Sequence, residues 1–240
     1  MREKDLGQLR LPVTARAPGA LAAVPLDVYT VYMSTRDKIL DAARKAFDRS
    51  GLEGLSLRDI AAQVGITPMA IYRHFDGKDA LVDALVLDAL GEWSAIVAAL
   101  PQGEVLAQLE RGSDAFLDFA LERPRRFEAA FLLHSRQARR YPDDFVAGRS
   151  PAGNVQLRLI EKAMAQGLLE ASSPIEIMMT NSALSQGLVT LYRAGRISGG
   201  ENEFREIYRS AMRRSLQSFM PKGAAQARHT DRKAFLRRKS

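Results

Sequence analysis

Residues 56–75 read SLRDIAAQVGITPMAIYRHF and have the pattern of two short helices joined by a tight turn. Ser56 followed by Asp59 has the form of a capping box, so we expect the first helix to begin at Leu57. Gly65 is suited to end that helix, because glycine adopts the left-handed backbone conformation without a steric penalty. The stretch therefore predicts a helix-turn-helix unit.

The second helix of this unit is predicted to present its outer face to a partner. Thr67 and Pro68 have the preferences of an N-cap and a first helical residue. Ile71 and Phe75, four residues apart, are expected to face inward. A short helix with polar, aromatic and basic residues outward suits the major groove of DNA. The alternative is an ordinary helical hairpin whose second helix faces solvent. The outward residues are Met69, Ala70, Tyr72, Arg73 and His74.

Helical patterns also flank this unit on both sides. The apolar periodicity predicts a helix over about residues 35–50, which Gly51 ends, and a long helix over about 78–100, preceded by the cap-like Asp76. Lys78 would lie at the N-terminus of the long helix, where a phosphate would offset the repulsion between its charge and the helix dipole. The alternative for Lys78 is an ordinary surface lysine.

Composition limits the classes of protein to which the chain can belong. It has 240 residues, no cysteine and three histidines far apart in sequence, so we expect no disulfide and no metal site. The net charge is +7, but most of it lies in residues 221–240, which hold seven Lys or Arg and one Asp. The net charge of the whole chain therefore does not support DNA binding. That prediction rests on where individual residues lie in the helix-turn-helix unit.

The sequence contains no pattern typical of an enzyme. Its carboxylates do not pair in an apolar context, and there is neither a glycine-rich phosphate loop nor a serine in a G-x-S-x-G setting. We expect no catalytic residues and no cofactor. No apolar run reaches the length of a transmembrane helix, and the N-terminus lacks a signal peptide, so a cytoplasmic protein is expected.

Residues 36–81 resemble the DNA-binding domain of the tetracycline-repressor (TetR) family. This resemblance implies an all-α protein with an N-terminal three-helix DNA-binding domain and a C-terminal helical domain for ligand binding and dimerisation. Met69 is a departure, since many family members have a smaller residue there, and it leaves the operator sequence open. The matching features are Ile39-Leu40, Ala42-Ala43, Phe47, Gly51, Ile60-Ala61, Val64-Gly65-Ile66, Tyr72, His74-Phe75, Lys78 and Leu81.

Double-stranded DNA is the expected partner, with the contacts divided between bases and phosphates. Met69 and Ala70 are expected at base edges, because apolar groups suit a thymine methyl, and Arg73 could reach a guanine or a phosphate. The phosphate contacts would fix the register without reading sequence. The residues assigned to phosphates are Ser56, Thr67, Tyr72, His74 and Lys78, and Pro68 completes the predicted DNA-binding set.

The remainder of the chain is predicted to be helical, with a loop at about residues 141–154. The expected division is a disordered arm at 1–33, a DNA-binding domain at 34–80, a regulatory and dimerisation domain at 81–220 and a basic, disordered tail at 221–240. Extra contact with nucleic acid is the alternative for arm and tail. The further helices are expected at about 104–121, 124–139, 155–167, 174–195 and 203–219.

The resemblance also implies a homodimer and a small-molecule effector. The helices at about 174–195 and 203–219 would pair with their copies as a four-helix bundle. A pocket between the helices of 104–195 would bind an apolar or aromatic effector and release a repressor from a pseudo-palindromic operator. The alternative is a helical DNA-binding or adaptor protein without small-molecule control. Candidate lining residues, for which plain core is the competing interpretation, are Phe116, Phe119, Phe127, Phe131, His134, Met164, Met178, Met179 and Tyr192.

Overall fold

A computed structural model describes residues 33–221 of the chain. Every regular element in this range is helical, which confirms the predicted all-α class. Apart from Met33 and Pro221, the expected arm and tail lie outside the described residues. The α-helices are α1 (Thr35–Ser50), α2 (Leu57–Val64), α3 (Pro68–Ile71), α4 (Gly77–Ala98), α5 (Val105–Glu122), α6 (Pro124–Phe131), α7 (Asp143–Val146), α8 (Pro151–Ala165), α9 (Pro174–Arg193) and α10 (Glu201–Ser218), and one 3-10 turn spans Gly51–Gly54.

The helices α1, α2 and α3 pack around a shared apolar centre. Ser34 caps α1 by accepting the backbone N–H of Asp37 at 3.2 Å, and Gly51 ends it with a φ of 64°. Removal of their apolar side chains from water holds the three helices together. The buried side chains include Ile39, Phe47, Ile60, Ile71 and Phe75, which are all at most 3% exposed.

The turn between α2 and α3 has the predicted chemistry. Gly65 adopts the left-handed conformation with a φ of 77°, and the Thr67 side chain accepts the backbone N–H of Ala70 at 3.2 Å. The regular part of α3 ends at Ile71, however, earlier than the expected helix through Phe75. The chain continues through hydrogen-bonded turns, which keep both inward side chains buried.

The helix predicted over 124–139 is wrong in its second half, because α6 ends at Phe131. Asp83 on α4 accepts hydrogen bonds from the Ser135 hydroxyl at 2.7 Å and from the backbone N–H of Arg136 at 3.2 Å. These bonds hold the chain after α6 in a turn. The contact that stops the helix comes from a distant segment, so it left no local signal in the sequence.

The structureless loop expected at 141–154 is also wrong. It contains the short helix α7, and α8 begins already at Pro151. The Ser150 hydroxyl accepts the backbone N–H of Gly153 at 3.3 Å and so caps α8. Proline favours the first position of a helix, where its missing N–H costs nothing, so this Pro marks a helix start.

A network of ionic hydrogen bonds connects α1, α4 and α6. Arg44 on α1 binds Asp88 on α4 with a 2.9 Å contact. Arg126 on α6 binds the same Asp88 and also Glu92, the latter at 2.6 Å, and Arg123 binds Glu92 as well. The long helix α4 is thereby fixed both to α1 and to α6. No helix within residues 33–221 is both long and apolar enough to cross a membrane.

Candidate nucleic-acid interface and internal cavity

The outer face of α3 and of the turn after it projects into solvent. Met69 is 73% exposed and Tyr72 is 54% exposed, and Arg73 and His74 are exposed beside them, while Ala70 is half-buried. The surface offers apolar, aromatic and basic groups side by side.

The two capping hydroxyls, of Ser56 and Thr67, lie at the N-termini of α2 and α3. Each oxygen accepts a backbone N–H, from Asp59 at 3.3 Å and from Ala70 at 3.2 Å respectively. Because a hydroxyl both accepts and donates, each retains its own proton for a further acceptor. Both N-termini also carry the positive end of the helix dipole, so an anion such as a phosphate fits there.

Lys78 lies in the first turn of α4 and is exposed. Its Nζ donates to the backbone oxygen of Leu52 at 3.0 Å, which leaves two of its three N–H groups for an anion. Asp76 precedes the helix, but its side chain makes no capping hydrogen bond. Asp76 thus occupies the expected N-cap position without bonding through its carboxylate, and the Lys78 ammonium group is held by the 3-10 turn.

Further basic groups occur on the helix-turn-helix unit. Arg58 and Arg73 are exposed, and neither forms an ion pair with a carboxylate among residues 33–221. Arg36, in the first turn of α1, lies over the ring of Phe75 at 4.8 Å. Sequence reasoning missed Arg36 and Arg58 as candidates. Arg36 reaches this surface only through the packing of α1 against Phe75, which the sequence does not show. Arg58 follows the Ser56 cap closely in sequence, and this position could have indicated a phosphate contact.

A cavity of about 630 Å³ lies among α4, α5, α8, α9, α10 and the segment that follows α6. Two of the predicted lining residues, Phe116 and Phe131, line it. Trp93, the single tryptophan of the chain, contacts both rings with centroid distances of 5.6 and 6.1 Å. This aromatic group forms the apolar side of the cavity.

The structure places the other predicted lining residues outside the cavity wall. Phe119, Phe127 and Met178 are at most 2% exposed and pack in the core. Tyr192 stacks on Phe204 with a centroid distance of 4.0 Å. Apolar periodicity finds residues that face inward, but it does not separate a filled interior from a lined void. Of the rest, Met164 is half-buried, and His134 and Met179 are exposed.

The polar side of the cavity was not foreseen. Asn181 and Ser185 on α9 both line it and are 8% and 5% exposed. Their i, i+4 spacing places them on one face of α9, and two polar residues on a buried face were a signal that the sequence offered. Tyr208 lies behind this wall and is fully buried. Burial raises the pKa of its hydroxyl, which therefore remains protonated at neutral pH.

A stripe of apolar and small residues runs along the outside of α9. Met179 is 51% exposed and Leu191 is 46% exposed, with Ala183 and Gly187 exposed between them. Their four-residue spacing aligns them as one ridge, and the small residues allow another helix to approach closely. Ile207 on α10 is a further exposed apolar residue, at 39%.

Comparison with known families matches both parts of the chain. The family described as "Bacterial regulatory proteins, tetR family" matches residues 39–85, which hold the helix-turn-helix unit. A second family, described as "Tetracyclin repressor-like, C-terminal domain", matches residues 109–215. The second match covers most of the helices around the cavity.

Individual relatives agree with these families. The HTH-type transcriptional repressor DrrR1 of Streptomyces coeruleorubidus is 42% identical over 76 residues, which are 32% of this chain and 28% of that protein. The chain covers between 28% and 60% of the first curated relatives that it matches, less than two thirds of their length. The similarity to these relatives therefore concerns only the matched part of each protein.

Solved structures show the same fold. A protein of unknown function from Rhodococcus sp. RHA1 superposes with a TM-score of 0.65 at 22% identity and covers 78% of this chain and 96% of its own. A TetR variant from Acinetobacter baumannii, solved in complex with minocycline, gives a TM-score of 0.54 at 17% identity and covers 75% and 93%. At these sequence identities, the similarity shows a shared fold alone.

Proposed function

The chain belongs to the tetR family of bacterial regulatory proteins, and from this premise we propose that it is a DNA-binding transcriptional regulator of the repressor type. The observation that carries the proposal is the outer face of α3 and of the turn after it, where Met69, Tyr72 and Arg73 project from a segment whose inner face is buried. A helix anchored in this way can enter the major groove without rearrangement.

Two kinds of DNA contact follow from this surface. Met69 and Ala70 would lie at base edges and Arg73 at a guanine or a phosphate. The remaining groups would hold phosphates and orient the helix, since their donors are free to do so. They are Ser56, Thr67, Tyr72, His74 and Lys78, with Arg36 and Arg58 added from the structure, and Pro68 begins the helix that presents them.

The regulator would act as a homodimer, because one short helix reads too few base pairs for specific binding. The exposed stripe of Met179, Ala183, Gly187 and Leu191 on α9, together with Ile207 on α10, supplies an apolar face suited to a second copy. Two copies joined there would present two reading helices to a pseudo-palindromic operator.

The cavity would hold a small-molecule effector that releases the dimer from DNA. Its volume of about 630 Å³ is within the range of ligand sites. An effector changes DNA binding only if it has different affinities for the bound and released arrangements. The A. baumannii structure with minocycline is an example of a related fold that binds a small molecule. Regulation without an effector is the alternative.

The test replaces the outward groups of α3 without touching its core. A duplex selected from random sequences by the protein would serve as the probe, with binding measured by fluorescence anisotropy. We expect Arg73→Ala and Tyr72→Ala each to weaken specific binding roughly tenfold or more. Arg158→Ala, an exposed arginine of α8, is the matched control and should bind normally. Unchanged binding by both α3 variants would refute the assignment of the reading helix.

A further inference from the structure

The polar wall of the cavity presents hydrogen-bond acceptors, and Asn181 shows why. Its Nδ2 lies 3.0 Å from the backbone oxygen of Ile177. A carbonyl oxygen only accepts, so this contact fixes the amide with its NH₂ group toward Ile177 and its Oδ1 as the free end. No donor within residues 33–221 reaches this oxygen. The side chain is only 8% exposed and lines the cavity, so Oδ1 is an acceptor that the protein leaves without a partner.

Gln186, further along α9, has the same arrangement. Its Nε2 donates to the backbone oxygen of Phe131 at 3.3 Å, which orients this amide in the same sense. Its Oε1 receives no hydrogen bond from the described residues, and the side chain lines the cavity. Each of these two amides thus gives one N–H to a backbone carbonyl and keeps its oxygen available as an acceptor.

The hydroxyl groups between these amides add to this pattern. Tyr208 has one proton, and its hydroxyl lies 3.1 Å from the backbone oxygen of Ser113, which can only accept. With that proton committed, Ser185 is the donor in its 2.7 Å bond to Tyr208, and the Ser113 hydroxyl donates to the same oxygen at 3.2 Å. Both serine protons then point at Tyr208, so the serine oxygens have only lone pairs left for the cavity.

Two of the three arginines that line the cavity make hydrogen bonds or ion pairs within residues 33–221. Arg209 binds Asp114 with a 2.9 Å contact, and Arg139 donates to the backbone oxygen of Gln137 at 3.1 Å. Arg213 is exposed toward solvent. An anionic ligand placed against α9 would set its own acceptors against the acceptors of that wall. The aromatic group of Trp93, Phe116 and Phe131 also lines the cavity.

We propose that the effector is an uncharged, largely aromatic molecule that donates hydrogen bonds through hydroxyl or N–H groups along one edge. The aromatic edge would pack on Trp93 and its neighbours, and the donor edge would face Asn181, Ser185 and Gln186. This inference rests on the proposed function, in which the cavity is the effector site.

The first experiment compares three probes of similar shape: trihydroxystilbene, its trimethyl ether, and stilbene carboxylate. Trp93 is the only tryptophan and lines the cavity, so quenching of its fluorescence reports occupancy, with calorimetry as a second measure. We expect the phenol to bind roughly tenfold tighter than the ether, the effect of losing one or two hydrogen bonds. Equal binding of the two, tighter binding of the carboxylate, or binding of none would overturn the proposal.

The second experiment removes the acceptors. In Asn181→Leu and Gln186→Leu we expect the preference for the phenol to fall to about threefold or less in each variant, with binding of the ether retained or improved. Gln217→Leu, an exposed glutamine of α10, is the matched control and should keep the full preference. Because the comparison is a ratio of two probes on one sample, a partial loss of folded protein does not affect it. Survival of the preference in both variants would contradict the assigned donor edge.

Binding of the selected DNA duplex is measured on the same samples without probe. Intact DNA binding without the expected probe preference overturns this inference and leaves the proposed function standing. Absence of sequence-specific DNA binding overturns the proposed function, whatever the probes show.

Discussion

The outer face of α3 and the α9 wall of the cavity depart in opposite ways from the usual placement of side chains. On α3 a large apolar residue, Met69, is 73% exposed. On α9 a polar residue, Asn181, is 8% exposed and has an oxygen without a partner in the described part of the chain. Folding normally buries apolar groups and pairs buried polar ones. Both departures fit the partners proposed above, DNA at α3 and an effector in the cavity.

The comparison also separates what each surface is suited to recognise. The α3 surface is open to solvent and carries exposed basic groups, so it would suit a large, charged partner such as DNA. The cavity is recessed and lined by aromatic rings as well as hydrogen-bond acceptors, so it would suit the small, uncharged molecule proposed above. The ionic contacts of Arg126 with Asp88 and Glu92 lie between the two regions and hold α4 to α6.

The largest expected effect on stability comes from comparing substitutions at a buried and an exposed position of α3. Ile71 is fully buried, so Ile71→Ala should lower the free energy of unfolding by about 3 kcal/mol through lost contacts and a cavity. Met69→Ala should change it by less than about 0.5 kcal/mol, because the side chain is mostly solvated, while it weakens DNA binding. Urea unfolding and anisotropy measure the two quantities. A large loss of stability in Met69→Ala would show that this side chain serves the fold.

A second exposed apolar residue, Leu191, tests whether the stripe on α9 contacts a second copy of the chain. Leu191 lies on the α9 stripe, and a charge there would be buried against a second copy. We expect Leu191→Glu to weaken dimerisation roughly tenfold or more, seen in sedimentation as a shift from twice the mass of one chain toward the monomer. Val146→Glu is the control, since Val146 is 74% exposed on α7. A wild-type protein that sediments as a monomer at micromolar concentration would rule out the dimer.

The smallest expected effect concerns the segment that borders the cavity after α6. The hydrogen bond from Ser135, together with Arg136, holds the pKa of Asp83 below its ordinary value despite burial. A carboxylate with a depressed folded pKa contributes stability that is present above its unfolded pKa of about 3.9 and is lost as the pH falls through the folded value. Asp83→Asn should therefore be less stable than the wild type by roughly 1 kcal/mol at neutral pH, and the difference should disappear in acid.

Urea midpoints between neutral pH and about pH 2.5 measure this difference. Glu161→Gln, an exposed carboxylate of α8 outside the ion pairs of the described residues, is the control. A constant difference between Asp83→Asn and the wild type at all pH values would mean that shape, rather than charge, holds the segment.

Much of the helix-turn-helix unit could be read from the sequence because its signals are local. The Ser56 cap acts on Asp59 and the Thr67 cap on Ala70, each three residues away. Gly65 decides the turn through its own backbone conformation. The inward positions of Ile71 and Phe75 follow from helical spacing alone. The early end of α3 was not foreseen, since the turns that follow it keep the same residues buried.

The C-terminal helices were located well, but their ends and the cavity were not. Pro124 marks the start of α6 in the sequence, whereas its end depends on Asp83, which is 52 residues from Ser135. Phe116 and Phe119 follow the same apolar pattern, yet one lines the cavity and the other is core. A pattern of apolar residues fixes which side of a helix turns inward, and the neighbouring helices fix whether that space is filled.

By itself the sequence determined the all-α class, the helix-turn-helix unit and the residues on its outer face, because caps, glycine conformation and helical period act within a few residues. Only the tertiary structure decided the cavity and its acceptor wall. Ser113 and Tyr208 are 95 residues apart in the chain and meet within 3.2 Å. The free oxygens of Asn181 and Gln186 are likewise defined by which backbone carbonyls hold their NH₂ groups, and for Gln186 that carbonyl belongs to another helix.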